Sequence, residues 1–182
     1  MRLFFAIPLP QALKDELKRF QTRSQALGVA ASWPDPVGLH LTLAFLGETE
    51  AYGLPQLRAI AQAVGSRQTP FPLATAILGG FPRNPTARVL WVGLDDQPKL
   101  ADLAAKLRQG LKSASMAFDE KPFKPHLTLA RFRTPTDISR FLPPPVPVAF
   151  KAQELVLYQS HLTPSGSRYE PILTVALEGD EL

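Results

Sequence analysis

One pentapeptide, His-Leu-Thr-Leu-Ala, occurs twice in this chain, at positions 40–44 and again at 126–130. Polar and apolar residues alternate in both copies, which is the pattern of a β-strand. Because successive side chains of a strand point to opposite faces, each copy turns its His and Thr to one face and its two leucines to the other. A polar pair held on a rigid strand above buried leucines is a suitable base for a site. The candidate site residues are therefore His40, Thr42, His126 and Thr128.

A third His-x-Thr pattern begins at His161 and gives an internal comparison. Here Thr163 is followed by Pro164, which has no N–H to donate to a β ladder. The next residues, Ser-Gly-Ser at 165–167, favour a turn. We therefore predict that this copy ends a strand, and that His161 is a loop residue with a structural or solvated role.

The spacing of apolar residues predicts three helices and seven strands, which indicates an α+β fold. The helices are expected before Gly28, at about 54–64, and from about 98 onward. The strands are expected near 3–7, 39–46, 73–78, 88–94, 125–133, 149–158 and 169–177, with Gly79-Gly80 in a turn. The two motif histidines lie 86 positions apart, each motif following a helix and a loop. This repetition predicts two pseudo-symmetric lobes, with antiparallel sheets flanked by helices and an active-site cleft between them.

Composition limits the choice of chemistry. The length of 182 residues and the 45% hydrophobic content suit a single bilobal domain. The absence of cysteine excludes disulfides, thiolate metal sites and thiol nucleophiles. Neither motif is accompanied by a His-Glu-x-x-His pattern or a carboxylate cluster, and the chain has no P-loop or dinucleotide fingerprint. We therefore expect neither a metal nor a cofactor.

The net charge indicates the kind of partner, and the N-terminal residues bear on the cellular location. The net charge is +4, a mild basic balance that is compatible with an anionic partner. The apolar run at 2–7 is short and is soon followed by charged residues, so it is interpreted as a first strand and not as a targeting segment. No stretch is long and apolar enough to span a membrane. The expectation is a cytoplasmic monomer.

Several segments together resemble the bacterial and archaeal RNA 2′,3′-cyclic phosphodiesterases, also called 2′-5′ RNA ligases, of the 2H phosphoesterase superfamily. That superfamily is named for two His-x-Thr-x motifs. The segments that carry the resemblance are 2–7 with Leu9 and Pro10, 39–47, 88–93, 125–131, and 157–169 with Ser160, Gly166 and Tyr169. The resemblance implies the same bilobal fold. It also implies RNA with 2′,3′-cyclic phosphate ends, such as tRNA halves, as the substrate.

The two histidines suit acid–base hydrolysis of such an end, because imidazole can hold or release a proton near neutral pH. The resemblance implies that His40 is the proton donor and His126 the proton acceptor; residue types alone leave that order open. It also implies a 2′-phosphomonoester product, with 2′-5′ ligation as the reverse reaction. The hydroxyls of Thr42 and Thr128 can donate hydrogen bonds to the phosphate oxygens.

Arg131 directly follows the second motif, and the resemblance implies that it approaches phosphate. Strand alternation places it opposite His126, so this role requires a bulge that returns the side chain to the His face. Three aromatic residues, Phe5, Trp33 and Tyr169, could stack on a base or ribose. Aromatic residues of an apolar chain are more often core, so they are interpreted as core and are not assigned to the site.

Two alternatives remain open. One is a binding module of the same fold that holds nucleotide or RNA without turnover. The other is a phosphodiesterase that acts on a small cyclic nucleotide such as ADP-ribose cyclic phosphate.

Overall fold

The computed structural model describes residues 1–164 and 166–179. Over these residues the chain forms nine strands and three α-helices. The strands are β1 (Arg2–Pro8), β2 (Ala31–Ser32), β3 (His40–Glu48), β4 (Phe71–Phe81), β5 (Ala87–Leu94), β6 (His126–Thr136), β7 (Ala149–Ala152), β8 (Glu154–Thr163) and β9 (Gly166–Ala176). The helices are α1 (Gln11–Gln25), α2 (Leu54–Gly65) and α3 (Pro98–Ser113).

The strands form two sheets whose paired neighbours run antiparallel. The first sheet has the order β3-β1-β8-β9 and the second has the order β2-β6-β5-β4-β7. The unit β1-α1-β3 of the first lobe matches the unit β5-α3-β6 of the second, because in each a helix joins two paired antiparallel strands. The predicted α+β fold with two lobes is confirmed, and both motif strands occupy equivalent places in it.

The two sheets share one hydrophobic core. All four motif leucines lie in it and are at most 1% exposed, as the alternation predicts: Leu41, Leu43, Leu127 and Leu129. Burying a leucine side chain stabilises a fold by roughly 1.5–3 kcal/mol, so each motif strand is firmly anchored on its leucine side. The His and Thr of each motif are consequently held on the opposite side, away from the core.

Each motif strand is also fastened to the segment that leads into the other motif. β2, which precedes the first motif, pairs with β6, and the Arg133 N–H donates to the Ala30 carbonyl at 3.1 Å. The Asp119 N–H, which precedes the second motif, donates to the Phe45 carbonyl on β3 at 2.8 Å. This exchange links the two lobes on both sides of the cleft.

Gly79 and Gly80 do not form the predicted turn. They lie inside β4, where they pair with Trp91 and Leu90 of β5. A Cβ on Gly79 would lie 2.2 Å from the Trp91 ring, so the glycine is required for the close approach of that ring. The sequence prediction was wrong here because glycine serves both turns and close packing.

The last part of the chain also differs from the prediction. The single strand expected near 149–158 is divided at Gln153, because β7 pairs with β4 of the second sheet and β8 pairs with β1 of the first. β8 then continues to Thr163, so His161 lies within a strand, opposite Arg168 of β9, and not in a loop. The third copy does end its strand, as predicted. The predicted turn includes Ser165, which lies outside the described residues.

Candidate active site

The two motif histidines are held by the same contact. Nδ1 of His40 lies 2.8 Å from the Gly38 carbonyl oxygen, and Nδ1 of His126 lies 2.6 Å from the Lys124 carbonyl oxygen. A carbonyl oxygen only accepts, so Nδ1 carries a hydrogen and donates it in both cases. In both residues Nε2 is then the nitrogen left available for proton exchange.

Both motif strands contain a bulge at the same place. Ala6 of β1 pairs with Thr42 and Phe5 pairs with Ala44, which leaves Leu43 as the extra residue. In the second lobe Trp91 pairs with Thr128 and Leu90 with Ala130, which leaves Leu129 extra. A bulge of one residue shifts the alternation of faces, so the residue after each motif returns to the His face.

The second bulge decides the position of Arg131. Ala130 and Phe132 are buried while Arg131 and Arg133 are exposed, so both arginines follow His126 on the open face of β6. The bulge that the phosphate-binding role of Arg131 requires is therefore present. The equivalent position of the first motif is occupied by Phe45.

A buried glutamine secures that bulge. Gln21 of α1 is 3% exposed, and its Nε2 donates to the carbonyl of the extra residue Leu129 at 2.9 Å. The same nitrogen donates to the Pro34 carbonyl, also at 2.9 Å, in the loop that leads into the first motif. One side chain thus joins the second motif strand to the approach of the first.

His40 lies among aromatic rings. Phe4 stacks on it with ring centroids 4.3 Å apart, and Tyr169 meets it edge-on at 4.8 Å. Tyr158 lies beside both rings, with its centroid 5.4 Å from that of Phe4 and 5.8 Å from that of His40. Burial is the main cause that lowers the pKa of His40 to about 4; the Gly38 hydrogen bond opposes this shift, and the positive charge of Lys14 adds to it.

The lowered pKa of His40 bears on which histidine donates a proton and which accepts one. At neutral pH the free protein holds His40 in its neutral form, which can accept a proton but has none to give from Nε2. The resemblance implies the opposite role, that of donor. A phosphate anion bound beside the ring favours the imidazolium and raises the pKa, so the donor role depends on bound substrate.

His126 has a different and more open setting. Phe81 meets its ring edge-on with centroids 5.1 Å apart, and Trp91 lies at 6.4 Å. Nζ of Lys124 lies 5.9 Å from the centre of the Phe81 ring.

A pocket of about 410 Å³ joins the two motif strands. Its wall includes Thr42 from the first motif and His126 from the second, so the predicted cleft exists between the lobes. Three predicted site residues do not line this pocket: His40, Thr128 and Arg131. Thr128 and Arg131 share the His126 face of β6. The complete lining is Thr42, Leu43, Ala44, Phe45, Phe81, Arg108, Asp119, Lys121, Pro122, Phe123, Lys124 and His126.

The interpretation of the three aromatic residues as core holds for two of them. Phe5 is fully buried, and Trp33 packs against the core with its ring 6.1 Å from that of Phe141. Tyr169 is 37% exposed and touches His40, so its assignment to the core was wrong. Phe4 was missed, although the alternation of β1 places it opposite the core-facing Phe5 and hence on the site face.

Neither a metal cluster nor a membrane helix is found in the described part of the chain. Within residues 1–164 and 166–179, no group of three or more His, Cys, Asp or Glu is placed to hold an ion. Among the helices formed by these residues, none combines the length and the apolar character required to cross a bilayer.

Residues 9–164 match the model of the 2′-5′ RNA ligase superfamily. The chain belongs to this superfamily. It is 30% identical to an RNA 2′,3′-cyclic phosphodiesterase of Thermotoga maritima, with 98% of this chain and 97% of that protein covered. It is 32% identical to the protein of that name from Escherichia coli, with 97% and 96% covered. A similar relative from Geobacillus stearothermophilus is longer, and the match spans 57% of it.

Solved structures agree with this membership. TT0787 of Thermus thermophilus has a TM-score of 0.83 at 30% identity, with both chains covered completely. LigT of Escherichia coli in its apo form has a TM-score of 0.82 at 31% identity, with 96% of each chain covered. LigT has also been crystallised with 3′-AMP. The family, the enzyme class and the bilobal fold predicted from the motifs are confirmed.

Proposed function

We propose that this superfamily member hydrolyses the 2′,3′-cyclic phosphodiester at RNA ends to a 2′-phosphomonoester, and that the reverse reaction forms a 2′-5′ link. The main support is the matched setting of His40 and His126. Each donates from Nδ1 to the carbonyl two residues before it, which commits Nε2 of both rings to proton transfer.

The reaction needs one acceptor and one donor. His126 takes a proton from water, whose oxygen attacks phosphorus while the bond from phosphorus to the ribose 3′ oxygen breaks. His40 gives a proton to that departing oxygen, and the phosphate remains on the 2′ oxygen. Thr42 and Thr128 donate hydrogen bonds to the non-bridging oxygens, on which charge grows in the transition state.

Arg131 supplies positive charge on the same side of the cleft as His126. The bulge at Leu129 returns its side chain to the open face of β6, which supports a contact with phosphate. The anionic phosphate in turn favours the protonated form of His40, so substrate binding prepares the donor. All proton transfers are then carried by side chains of the chain itself.

The direct test is incubation with an oligoribonucleotide that ends in a 2′,3′-cyclic phosphate, in the presence of excess EDTA. The expected result is a 2′-phosphomonoester, identified by its resistance to 3′-specific phosphatase. A 3′-phosphate product, or activity that EDTA removes and a divalent ion restores, contradicts the mechanism. Binding of the oligonucleotide without any product supports the binding module. Turnover of ADP-ribose cyclic phosphate alone supports the small-nucleotide enzyme.

A further inference from the structure

A groove lies on the outer surface between helices α2 and α3. Its volume is about 540 Å³, within the size range of small-molecule sites. Both helices place leucines in the core that also holds the motif leucines, whereas the motif histidines lie away from that core. The groove is therefore separate from the candidate active site, and its lining differs at every position from that of the cleft. The apolar part of its lining is Ala59, Ile60, Ala63, Val64, Gly110 and Ala114.

Short side chains keep this groove open. The two helices approach closely at Gly110, where an added Cβ would lie 2.8 Å from Cγ2 of Ile60. Ala59 and Ala63 of α2 are exposed beside this contact, and their methyl groups extend little from the helix. Apolar surface that stays accessible in a groove is typical of a site for an apolar ligand.

The two helices run antiparallel along the groove. A Cβ on Gly53, just before α2, would lie 3.1 Å from Cε of Met116, which follows α3. Further along α2, Ile60 meets Gly110, which comes earlier in the chain than Met116. Residue numbers therefore rise along α2 as they fall along α3.

This direction brings the two cations of the groove to the same end. Lys106 precedes Gly110 by about one turn of helix, so it lies toward the end of α2 that Arg67 follows. The opposite end is formed by Gln56 and Ala114, which carry no charge. The groove thus has one cationic end and one neutral end.

The cationic end is complementary to a carboxylate. Arg67 is exposed, and a guanidinium can hold a carboxylate through two parallel hydrogen bonds. Lys106 pairs with Asp102 at 2.5 Å, and both side chains are about half exposed. An exposed ion pair of this kind is weak, so Lys106 keeps part of its attraction for another anion. The described residues that line the groove include no acidic side chain to oppose it.

We propose that this groove binds a free aliphatic carboxylate, with its head group at Arg67 and Lys106 and its alkyl chain over Ile60 and Val64 toward Ala114. From Lys106 to Ala114 the helical rise is roughly 12 Å, which suits a chain of medium length. A partner helix of amphipathic character would carry charge along its whole length. Cations at one end only match a ligand with a single charged head better.

Calorimetry with the full chain tests the proposal, with decanoate below its micelle concentration as the probe. Decylammonium has the same chain with a positive head, and butyrate has the same head with a shorter chain. Decanoate should bind more tightly than both. Because each buried methylene group strengthens binding by roughly fourfold, butyrate should bind at least about 100-fold more weakly.

Two variants test the head and the chain separately. Arg67→Glu should weaken decanoate binding roughly 3- to 10-fold and strengthen decylammonium binding, because it reverses the charge at one end. Ala63→Trp should abolish binding of both ligands, because the indole fills the groove. Arg58→Glu on α2 and Ala105→Trp on α3 are the matched controls, since both positions are exposed outside the lining. Thermal unfolding checks the fold, and Ala59→Leu replaces Ala63→Trp if the larger residue lowers the unfolding temperature.

Several results would overturn the proposal. Equal affinity for decanoate and decylammonium leaves the cationic end without a role. A loss in Ala105→Trp as large as that in Ala63→Trp removes the link to the groove, and displacement of decanoate by adenosine 2′-phosphate places the ligand in the cleft. If decanoate does not bind, the free carboxylate is refuted. An acidic amphipathic peptide or phosphatidylglycerol vesicles that then bind the wild type but not Ala63→Trp would assign the groove to a protein partner or a membrane instead.

Discussion

His40 and His126 begin identical pentapeptides, yet their surroundings differ. Burial against Phe4 and the edge of Tyr169 lowers the pKa of His40 to about 4. The ring is therefore neutral at every pH well above 4 in the free protein, and a proton enters only as the pH falls toward that value. Its protonation at neutral pH requires a bound anion.

An NMR titration of the three histidines checks this account. We predict that His40 stays neutral in the free protein down to pH 5, since its pKa lies near 4. Saturating adenosine 2′-phosphate should raise that pKa toward neutrality, because the phosphate stabilises the imidazolium. A His40 signal that titrates near pH 6.5 without ligand, or one that ligand leaves unmoved, contradicts the link between substrate and donor.

His161 provides the control for the motif itself. It shares the His-x-Thr pattern, but it lies on the exposed hairpin of β8 and β9 and contacts Glu170 at 3.0 Å. An exposed pair of this kind contributes little to stability. We predict that His161→Ala retains turnover close to that of the wild type. A loss as large as that of His126→Ala would falsify the separation of the third copy from the site.

The bulge in β6 returns Arg131 to the face of the strand that carries His126. Gln21 is buried and donates to the carbonyl of the extra residue Leu129, so we infer that it positions Arg131 through the bulge. Gln21→Leu leaves that buried carbonyl without its donor, which costs about 1–3 kcal/mol of stability. We predict that it also raises KM for the cyclic phosphate more than it lowers kcat.

A double-mutant cycle separates this role from general destabilisation. In an Arg131→Ala background, Gln21→Leu should have no further effect on KM, because the residue it positions is gone. Gln25→Leu, on an exposed turn of the same helix, is the matched control and should leave KM unchanged. Equal KM increases from Gln21→Leu with and without Arg131 contradict the positioning role.

Among the helices and strands, those that depend on a local pattern of residues were predicted correctly from the sequence. The motif strands and the three helices follow from alternation and helical spacing, and their leucines lie in the core as expected. Long-range pairing was not predictable. The division at Gln153, the continuation of β8 past His161 and the pairing of β2 with β6 depend on which distant strand offers a partner.

In the candidate site, too, local patterns were predictable from the sequence and long-range contacts were not. The His and Thr pairs are visible in the sequence because a repeated motif marks them. Phe4 and Tyr169 carry no such mark, and only the fold of β1, β3, β8 and β9 into one sheet brings their rings to His40. The bulge at Leu129 is also invisible locally, since a register shift belongs to a pair of strands.

For the molecule as a whole, the feature that favours an extended RNA contact is a group of four basic side chains around the second motif. Lys121 and Lys124 line the pocket, and Arg131 and Arg133 are exposed on β6. We predict that a cyclic-phosphate oligoribonucleotide has a lower KM than the mononucleotide, and that this advantage decreases as salt rises, because phosphate contacts release counterions. Equal KM values for the two substrates at every salt concentration contradict an extended RNA contact.

The exchange of segments between the lobes makes the cleft one unit. β2 pairs with β6, and Asp119 donates to Phe45 on β3, so each motif strand is positioned partly by the other half of the chain. We propose that His40 and His126 act in a single step as donor and acceptor.

Single-turnover hydrolysis by His40→Ala, His126→Ala and the double variant across pH tests that claim most directly, with product binding measured in parallel. Each single variant should lose roughly 10²–10⁴-fold in rate and keep most of its affinity, because the Thr hydroxyls and Arg131 still bind phosphate. The loss in the double variant should fall well short of the product of the two single losses, since the two groups act as a unit. The wild-type profile should be bell-shaped, and each single variant should lose one limb. Full activity in either single variant would contradict the account and remove that histidine from the mechanism.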